Sequence, residues 1–159
     1  MNQQNLDILF RNYIDHFEEL NNHEHDEKYK WNAVGHVQKT WNLEAEDLSG
    51  MIKEAFSRCF ELIDNRFVHP TSGMVKLAQL ETDAVRNAFS DLLADDGGDL
   101  ENRQSRILLF VDTCNALLQK HFPGTWKYVQ DVRSTIAYLA AIKPEENYLF
   151  KSTPAREFA

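Results

Sequence analysis

The sequence predicts an all-α protein, a single-domain irregular bundle of about seven helices that spans residues 1–159. In almost every segment, apolar residues recur at three- and four-residue steps, the spacing that places them on one face of a helix. The breaks between these segments fall at proline, glycine and helix-capping residues. With 159 residues, 43% of them hydrophobic, the chain is long enough to bury one continuous core.

Two helices are predicted before Asn42. The first ends before the polar run Asn21 to Asp26, and one of its faces is apolar: Leu6, Leu9, Phe10, Tyr13, Ile14, Phe17 and Leu20. The second runs from about Tyr29 to Trp41, and the apolar residues that align along it are Ala33, Val34, Val37 and Trp41.

A third helix is expected next, with Asn42 as its cap. Its first turn would contain acidic residues, which favour the positive end of the helix dipole: Glu44, Glu46 and Asp47. Its buried face would comprise Leu48, Met51, Ile52, Ala55, Phe56, Cys59 and Ile63. His69-Pro70-Thr71-Ser72 interrupts the pattern, because proline disfavours helix in the residue before it. A short helix from Gly73 to Leu80 follows.

Three further helices complete the prediction. Thr82 is the expected N-cap of a helix that ends at Asp95-Asp96-Gly97-Gly98 and whose apolar residues are Val85, Phe89, Leu92 and Leu93. The longest helix runs from about Leu100 to His121, and Phe122-Pro123-Gly124 ends it. Asp131 caps the last helix, which ends at Pro144 and carries Val132, Ile136, Leu139 and Ala140.

The residues after Pro144 predict a short extended segment near 147–151, built on Tyr148-Leu149-Phe150. Thr153-Pro154 has the order of a cap followed by proline that starts a helix, but only five residues follow Pro154. Since a helix of fewer than about 12 residues is rarely stable without packing, we expect the chain to be the N-terminal part of a longer protein.

Charge argues against indiscriminate coating of DNA. The 17 Lys and Arg against 25 Asp and Glu give a net charge of −8, which is opposite to the sign expected for binding by phosphate neutralisation alone. The charge is uneven, however: residues 1–27 carry −6 and residues 42–65 carry −4, whereas residues 28–41 and 102–159 each carry +3. The charge pattern therefore predicts that a binding face, if there is one, lies in these two basic segments.

The basic segments interleave cations with aromatic and amide groups, which can contact phosphates and stack on bases. Our candidate nucleic-acid contacts are Lys28, Lys30, Trp31, His36, Gln38, Arg133, Tyr148 and Lys151, and Lys127 and Tyr128 are of the same kind. This interpretation requires the two segments to meet in the fold. The alternative is that the aromatic residues pack in the core and the lysines only solvate a surface.

No complete catalytic motif is present: the sequence contains no GxxxxGK[ST] loop, GxGxxG turn, HExxH or cysteine zinc spacing. We therefore expect no enzyme activity, no catalytic residue and no cofactor. His23-Glu24-His25-Asp26-Glu27 has metal-capable side chains, but they lie in one short polar run without supporting ligands. A solvated loop is expected there rather than a metal site, and a metal-dependent hydrolase is the least favoured alternative.

Cys59 and Cys114 each lie in an apolar helical pattern, which indicates reduced core thiols and a cytoplasmic location. No apolar stretch approaches the ~18 residues that span a bilayer, and Met1-Asn2-Gln3-Gln4-Asn5 lacks the features of a signal peptide. We expect a protein that is neither exported nor inserted in a membrane.

Several blocks of sequence resemble a known family. They are Lys28-Tyr29-Lys30-Trp31-Asn32-Ala33-Val34, His36-Val37-Gln38, Trp41-Asn42-Leu43-Glu44-Ala45-Glu46-Asp47-Leu48, Tyr128-Val129-Gln130-Asp131-Val132-Arg133-Ser134 with Tyr138-Leu139, and Pro144-Glu145-Glu146-Asn147-Tyr148-Leu149-Phe150-Lys151 with Phe158-Ala159. The chain resembles, in these blocks, the N-terminal region of AAA-type motors like the GTPase subunit of McrBC-type restriction systems, which act on modified cytosine. Residues 66–125 match only in helical character.

The resemblance implies a recognition or regulatory module that selects a target, while a motor and a separate nuclease do the work. DNA and a motor or nuclease subunit are the partners it implies, and the motor itself is absent from this sequence. The second hypothesis is a protein-interaction or oligomerisation domain whose acidic surfaces meet a partner subunit or a second copy.

Overall fold

A computed structural model of the chain describes residues 3–20, 28–95 and 97–147. Within these ranges it contains nine α-helices, one turn of 3-10 helix and no strand. The predicted all-α class is therefore confirmed, with two more helices than the seven or so expected from the apolar pattern. The chain divides into two compact units, Met1–Asn32 and Ala33–Ala159.

The N-terminal unit contains helix α1 (Gln3–Asp15), helix α2 (Phe17–Leu20) and the start of helix α3 (Lys28–Thr40). The predicted first helix is thus divided at His16. Its Nδ1 atom lies 2.9 Å from the carbonyl oxygen of Asn12, so the imidazole competes with the backbone at the end of α1. The Lys28 ammonium bonds to Glu18 at 2.9 Å and lies 5.6 Å from the ring centroid of Phe17.

The second unit contains the rest of α3 and seven further elements. They are α4 (Leu48–Ala55), α5 (Phe60–Ile63), α6 (Pro70–Leu80), α7 (Thr82–Leu92), α8 (Leu100–His121), the 3-10 turn Trp126–Tyr128 and α9 (Val132–Ile142). Helix α6 lies against α4, α7, α8 and the 3-10 turn, whereas α9 packs on α5 and α8. Helix α6 is therefore the element around which this unit is organised.

The predicted cap of the third helix was wrong. Helix α4 begins at Leu48, and the carboxylate of Asp47 caps it by accepting a hydrogen bond from the Gly50 amide at 2.8 Å. Asn42 instead closes a turn, because its side-chain oxygen accepts from the amide of Glu44 two residues on. Glu44 and Glu46 consequently precede the helix rather than lie in its first turn.

Two other helix starts differ from the prediction by a few residues. Helix α6 begins at Pro70 rather than at Gly73, since proline is well suited to a first helical position and the next amide, that of Thr71, donates to Asp64 Oδ1 at 3.0 Å. Thr82 is the first residue of α7 and not its cap. Its hydroxyl donates back to the carbonyl oxygen of Ala78 at 2.7 Å.

The third predicted helix, with its buried face from Leu48 to Ile63, is divided into α4 and α5. The predicted bounds of α8 and the predicted cap of α9 are confirmed. Helix α8 spans Leu100–His121, and glycines with positive φ flank it: 59° at Gly97, 82° at Gly98 and 75° at Gly124. Asp131 caps α9, where its carboxylate accepts from the Ser134 amide at 2.6 Å and the Ser134 hydroxyl lies 3.0 Å from the Asp131 amide. The predicted extended segment near 147–151 and the helix start at Thr153-Pro154 extend beyond the described residues.

The core of the second unit contains a cluster of aromatic rings: Phe56, Phe89, Phe110 and Tyr138, with the partly buried Trp41 packed against them. Adjacent ring centroids lie 5.0–6.1 Å apart in edge-to-face or tilted arrangements, which are the favoured geometries for aromatic pairs. Cys59 and Cys114 are buried free thiols, as predicted, and burial raises their pKa to about 12.

The 3-10 turn packs directly on α6 at Gly73. A Cβ atom added to this glycine would lie 2.8 Å from the carbonyl oxygen of Tyr128 and 2.9 Å from its Cβ atom. Both distances are shorter than van der Waals contact allows, and one of the two neighbours is rigid backbone. The close approach of turn and helix thus requires glycine at this position.

A matched pair of glycine substitutions tests this packing. Gly73→Ala is expected to lower the free energy of unfolding by about 1–3 kcal/mol, because the added methyl group displaces the turn. Gly35→Ala, in α3, where no atom lies within 4 Å of an added Cβ, is expected to raise it by about 0.5–1 kcal/mol. Urea unfolding measures both, and a Gly73→Ala protein as stable as the parent would contradict the packing.

Candidate functional site

Gln130 is a buried polar residue that joins four elements of the second unit. Its side-chain amide donates to the carbonyl oxygens of Pro70 (3.0 Å) and Tyr128 (2.8 Å), and its side-chain oxygen accepts from the Tyr138 hydroxyl at 3.2 Å. Its backbone amide and carbonyl pair with the side chain of Asn115 at 2.8 Å and 2.9 Å. Every polar group of Gln130 is therefore satisfied, and the 3-10 turn is fixed to α6, α8 and α9.

A second backbone contact joins this turn to the loop before α6. The His69 amide donates to the Lys127 carbonyl oxygen at 2.6 Å. The loop itself is ordered by Asn65, whose side-chain oxygen accepts from the amides of Phe67 and Val68 at 2.8 Å and 2.9 Å. A backbone hydrogen bond thus joins two segments that are distant in the sequence.

We call this region the basic aromatic surface. It comprises Phe60, Arg66, Phe67, His69, Lys76, Trp126, Lys127 and Tyr128. Phe67 and Trp126 keep 64% and 63% of their area exposed, and Phe60 keeps 49%. Rings this large are usually covered, so three of them exposed in one region suggest a surface that something contacts.

The cations of this surface lie beside its aromatic rings. The Arg66 guanidinium is 5.6 Å from the centroid of Phe67, and the Lys127 ammonium is 5.0 Å from that of Tyr128. The Lys76 ammonium lies 5.8 Å from the Tyr128 ring. Within the part of the chain that the structure describes, none of these three cations forms an ion pair with a carboxylate.

The local charge of this region is opposite to that of the whole chain. Residues 66–80 and 119–130, the two stretches that meet here, contain Arg66, Lys76, Lys120 and Lys127 and no Asp or Glu. At one margin, Glu81 bonds to Lys120 and to His121, and these two hydrogen bonds lower the pKa of its carboxyl group. These two stretches are therefore net positive in a protein of net charge −8.

A groove of about 600 Å³ adjoins the basic aromatic surface between α4 and α6. Phe60 and Lys76 belong to both, and Lys53 and Asp64 also line the groove. Burial raises the pKa of Asp64, although the Thr71 amide that bonds to it acts in the opposite direction, as do the positive charges of His69 and Arg133. A negative charge on Asp64 is thus disfavoured by the fold.

Three of the candidate residues from the sequence lie in the N-terminal unit. Lys28 is half-buried in the contact with Glu18 described above. Lys30 lies with its ammonium 5.7 Å from the Tyr29 ring, and Trp31 is 64% exposed. Trp31 is therefore not a core residue among the parts of the chain that are described.

The other candidates lie in the second unit or beyond the described residues. His36 Nε2 is 2.9 Å from the Glu54 carbonyl oxygen, Gln38 is exposed, and Arg133 donates to the Ile63 carbonyl oxygen at 2.9 Å, next to Asp64. Arg133 therefore borders the basic aromatic surface. The candidates Tyr148 and Lys151, and the His23–Glu27 run, lie outside the described residues. The joining of helix two and the C-terminal stretch into one face stays a prediction.

Arg66, Phe67 and Trp126 were not predicted as contacts from the sequence. They lie in a loop and a 3-10 turn, where no apolar stripe of a helix marks them. The available signal was local: two aromatic residues next to cations, close to Pro70 in one case and to Gly124 in the other, and not in register with any helix. Aromatic residues in such turns cannot all reach a core.

Comparison with known proteins gave no match: no protein-family model, no curated protein and no solved structure is similar to this chain. Of the helices described, none has the length and apolar character needed to cross a membrane. In residues 3–20, 28–95 and 97–147, no three side chains of His, Cys, Asp or Glu converge in a way that could hold a metal ion.

The raised pKa of Asp64 predicts a pH-dependent effect of Asp64→Asn. At neutral pH the parent carries a half-buried charge, so the variant is expected to be the more stable of the two. As the pH falls through the folded-state pKa towards the ordinary value of 3.8, the parent becomes neutral and the difference shrinks. Urea unfolding at pH values between 3 and 7, in roughly unit steps, measures the difference in the free energy of unfolding between the two proteins.

Asp112→Asn, which removes a carboxylate from the exposed side of α8, controls for the change in net charge. An Asp64→Asn protein that is less stable than the parent at neutral pH would show that the ionised carboxylate stabilises the fold and would contradict this account.

Proposed function

We propose that this chain is a non-catalytic recognition module that contacts DNA through the basic aromatic surface and serves a cytoplasmic restriction or defence motor of the AAA type. The observation that carries the DNA contact is the grouping of three cations that have no carboxylate partner with three exposed rings around one fixed turn. The motor partner rests on the resemblance of the sequence blocks to the N-terminal region of such proteins.

The chemistry of the surface fits a phosphate backbone with accessible bases. Arg66, Lys76 and Lys127 are free to contact phosphates, which supply most of the affinity of DNA-binding proteins. Phe67 and Trp126 offer flat faces beside those cations. The net charge of −8 disfavours contact with DNA over the acidic parts of the molecule.

A second candidate function, a protein-protein interaction, is favoured by a different part of the chain. Leu100, Leu108 and Leu109 are exposed on the N-terminal half of α8. Leu109 also lines a cavity of about 290 Å³ between α7 and α8. Exposed leucines beside a cavity suit contact with a motor or nuclease subunit, and that contact would not compete with DNA for the basic aromatic surface.

Fluorescence anisotropy with a labelled DNA of about 20 nucleotides, offered both as a single strand and as a duplex, tests the proposal. We expect binding at low salt that weakens steeply as salt is added, because phosphate contacts release counterions. Lys127→Ala and Arg66→Ala are each expected to weaken binding several-fold and to reduce the salt slope by about one.

Lys143→Ala is the matched control, because this lysine pairs with Glu146 at 3.7 Å and is not part of the basic aromatic surface. Its affinity for DNA should equal that of the parent. If neither form of DNA binds at low salt, the chain does not contact DNA, and the interaction role of the α8 leucines becomes the better account.

A further inference from the structure

We infer that the basic aromatic surface binds single-stranded rather than duplex nucleic acid, with unpaired bases stacked on Trp126 and Phe67 and the backbone held by Arg66 and Lys127. This inference rests on the proposed function and specifies its ligand. It depends on how the rings are exposed, how firmly they are held and where the cations lie beside them.

The rings of Trp126 and Phe67 are exposed to solvent. Trp126 and Phe67 each keep more than 60% of their area accessible, although the core of the same unit contains five packed aromatic rings. Their exposure is due to their position, since one lies in a 3-10 turn and the other in a loop. A ring in such a place adds little to the core and is well placed to stack on a flat ligand.

The backbones that carry Trp126 and Phe67 are held by hydrogen bonds. Trp126 is the first residue of a turn whose last residue, Tyr128, bonds to the buried amide of Gln130 and packs on Gly73. Phe67 donates its own backbone amide to the Asn65 side chain. Because both backbones are already fixed, little conformational entropy is lost when a base stacks on either ring.

Cations lie close to the aromatic rings of this surface. The Arg66 guanidinium lies 5.6 Å from the centroid of the Phe67 ring. Lys127 follows Trp126 in the chain, and its ammonium lies 5.0 Å from the ring of Tyr128, the last residue of the same turn. Proteins that bind single strands use this arrangement, in which phosphates follow a row of cations while bases stack on adjacent rings. The rings are sequence-tolerant partners, because every base has a π face.

Single strands and duplexes differ in whether the faces of their bases are accessible. In a duplex the base faces are covered by neighbouring base pairs, and only their edges are open in the grooves. Duplex readers place a helix or a β-ribbon with polar side chains in the groove, whereas this surface presents aromatic rings on a loop and a turn. A duplex could meet the cations but would leave the rings without a stacking partner.

The inference is tested by measuring anisotropy with the same sequence as single-stranded DNA, duplex DNA and single-stranded RNA. Single-stranded DNA should bind about tenfold or more tighter than the duplex. Trp126→Ala should weaken single-strand binding by about 5- to 150-fold and leave the weak duplex binding almost unchanged. Trp126→Phe, which keeps a ring, should retain most of the affinity.

Phe10→Ala is the matched control, because Phe10 is an aromatic residue of helix α1 that is 59% exposed and is not among the candidate nucleic-acid contacts. It should bind a single strand as the parent does. Circular dichroism and urea unfolding should show Trp126→Ala to be as well folded as the parent, since the ring is mostly exposed.

The outcomes separate this inference from the proposed function. Duplex DNA that binds as tightly as the single strand, or Trp126→Ala with unchanged single-strand affinity, would overturn the inference and leave the DNA module standing. Absence of binding to all three nucleic acids would overturn both. RNA that binds like single-stranded DNA would support stacking as the shared chemistry. Polyglutamate has negative charge but no bases, so displacement of the DNA by an equal charge of polyglutamate would show that the rings contribute nothing and would overturn the inference.

Discussion

The buried side-chain amide of Gln130 is the interaction on which the rest of the second unit depends. It connects the start of α6 at Pro70, the end of the 3-10 turn at Tyr128 and the aromatic core at Tyr138. Burial keeps the pKa of Tyr138 well above its ordinary value, so its hydroxyl remains a donor to the Gln130 oxygen. An apolar side chain at position 130 would leave several buried polar groups unpaired, at a cost of about 1–3 kcal/mol each. The amide therefore determines where the turn lies, and the turn determines where Trp126 is presented.

This constraint explains how an acidic protein acquires a positive surface. Binding is governed by the field close to the contact, and salt screens charges more than about 10 Å away. The turn brings residues 119–130 against residues 66–80, and neither stretch contains an acidic residue. Glu81, at the end of these stretches, is occupied by Lys120 and His121. The cations that remain therefore act together despite the net charge of −8.

Local signals in the sequence were enough to predict most of the helices. Helix α8 and the cap at Asp131 follow from glycine, proline and capping residues that act within a few positions. Asn42 and Asp47 are both good caps, and only the packing of Leu48 and its neighbours in the core decides between them. Of the residues in the basic aromatic surface, only Lys127 and Tyr128 were candidate contacts in the sequence. Arg133, another candidate, lies near this surface and not in it. The bond from His69 to Lys127 joins residues far apart in the chain, and no local pattern shows that Phe67 and Trp126 share one surface.

The central claim is that Gln130 and the bond between His69 and Lys127 hold the turn as a fixed platform. Amide hydrogen exchange, followed residue by residue by NMR, tests this most directly. The account predicts that the amides of His69 and Gln130, which donate to Lys127 and Asn115, exchange as slowly as the central amides of α8. Exchange of both amides at the rate of an open loop, while α8 stays protected, would contradict it, because the rings would then have no fixed position from which to bind a ligand.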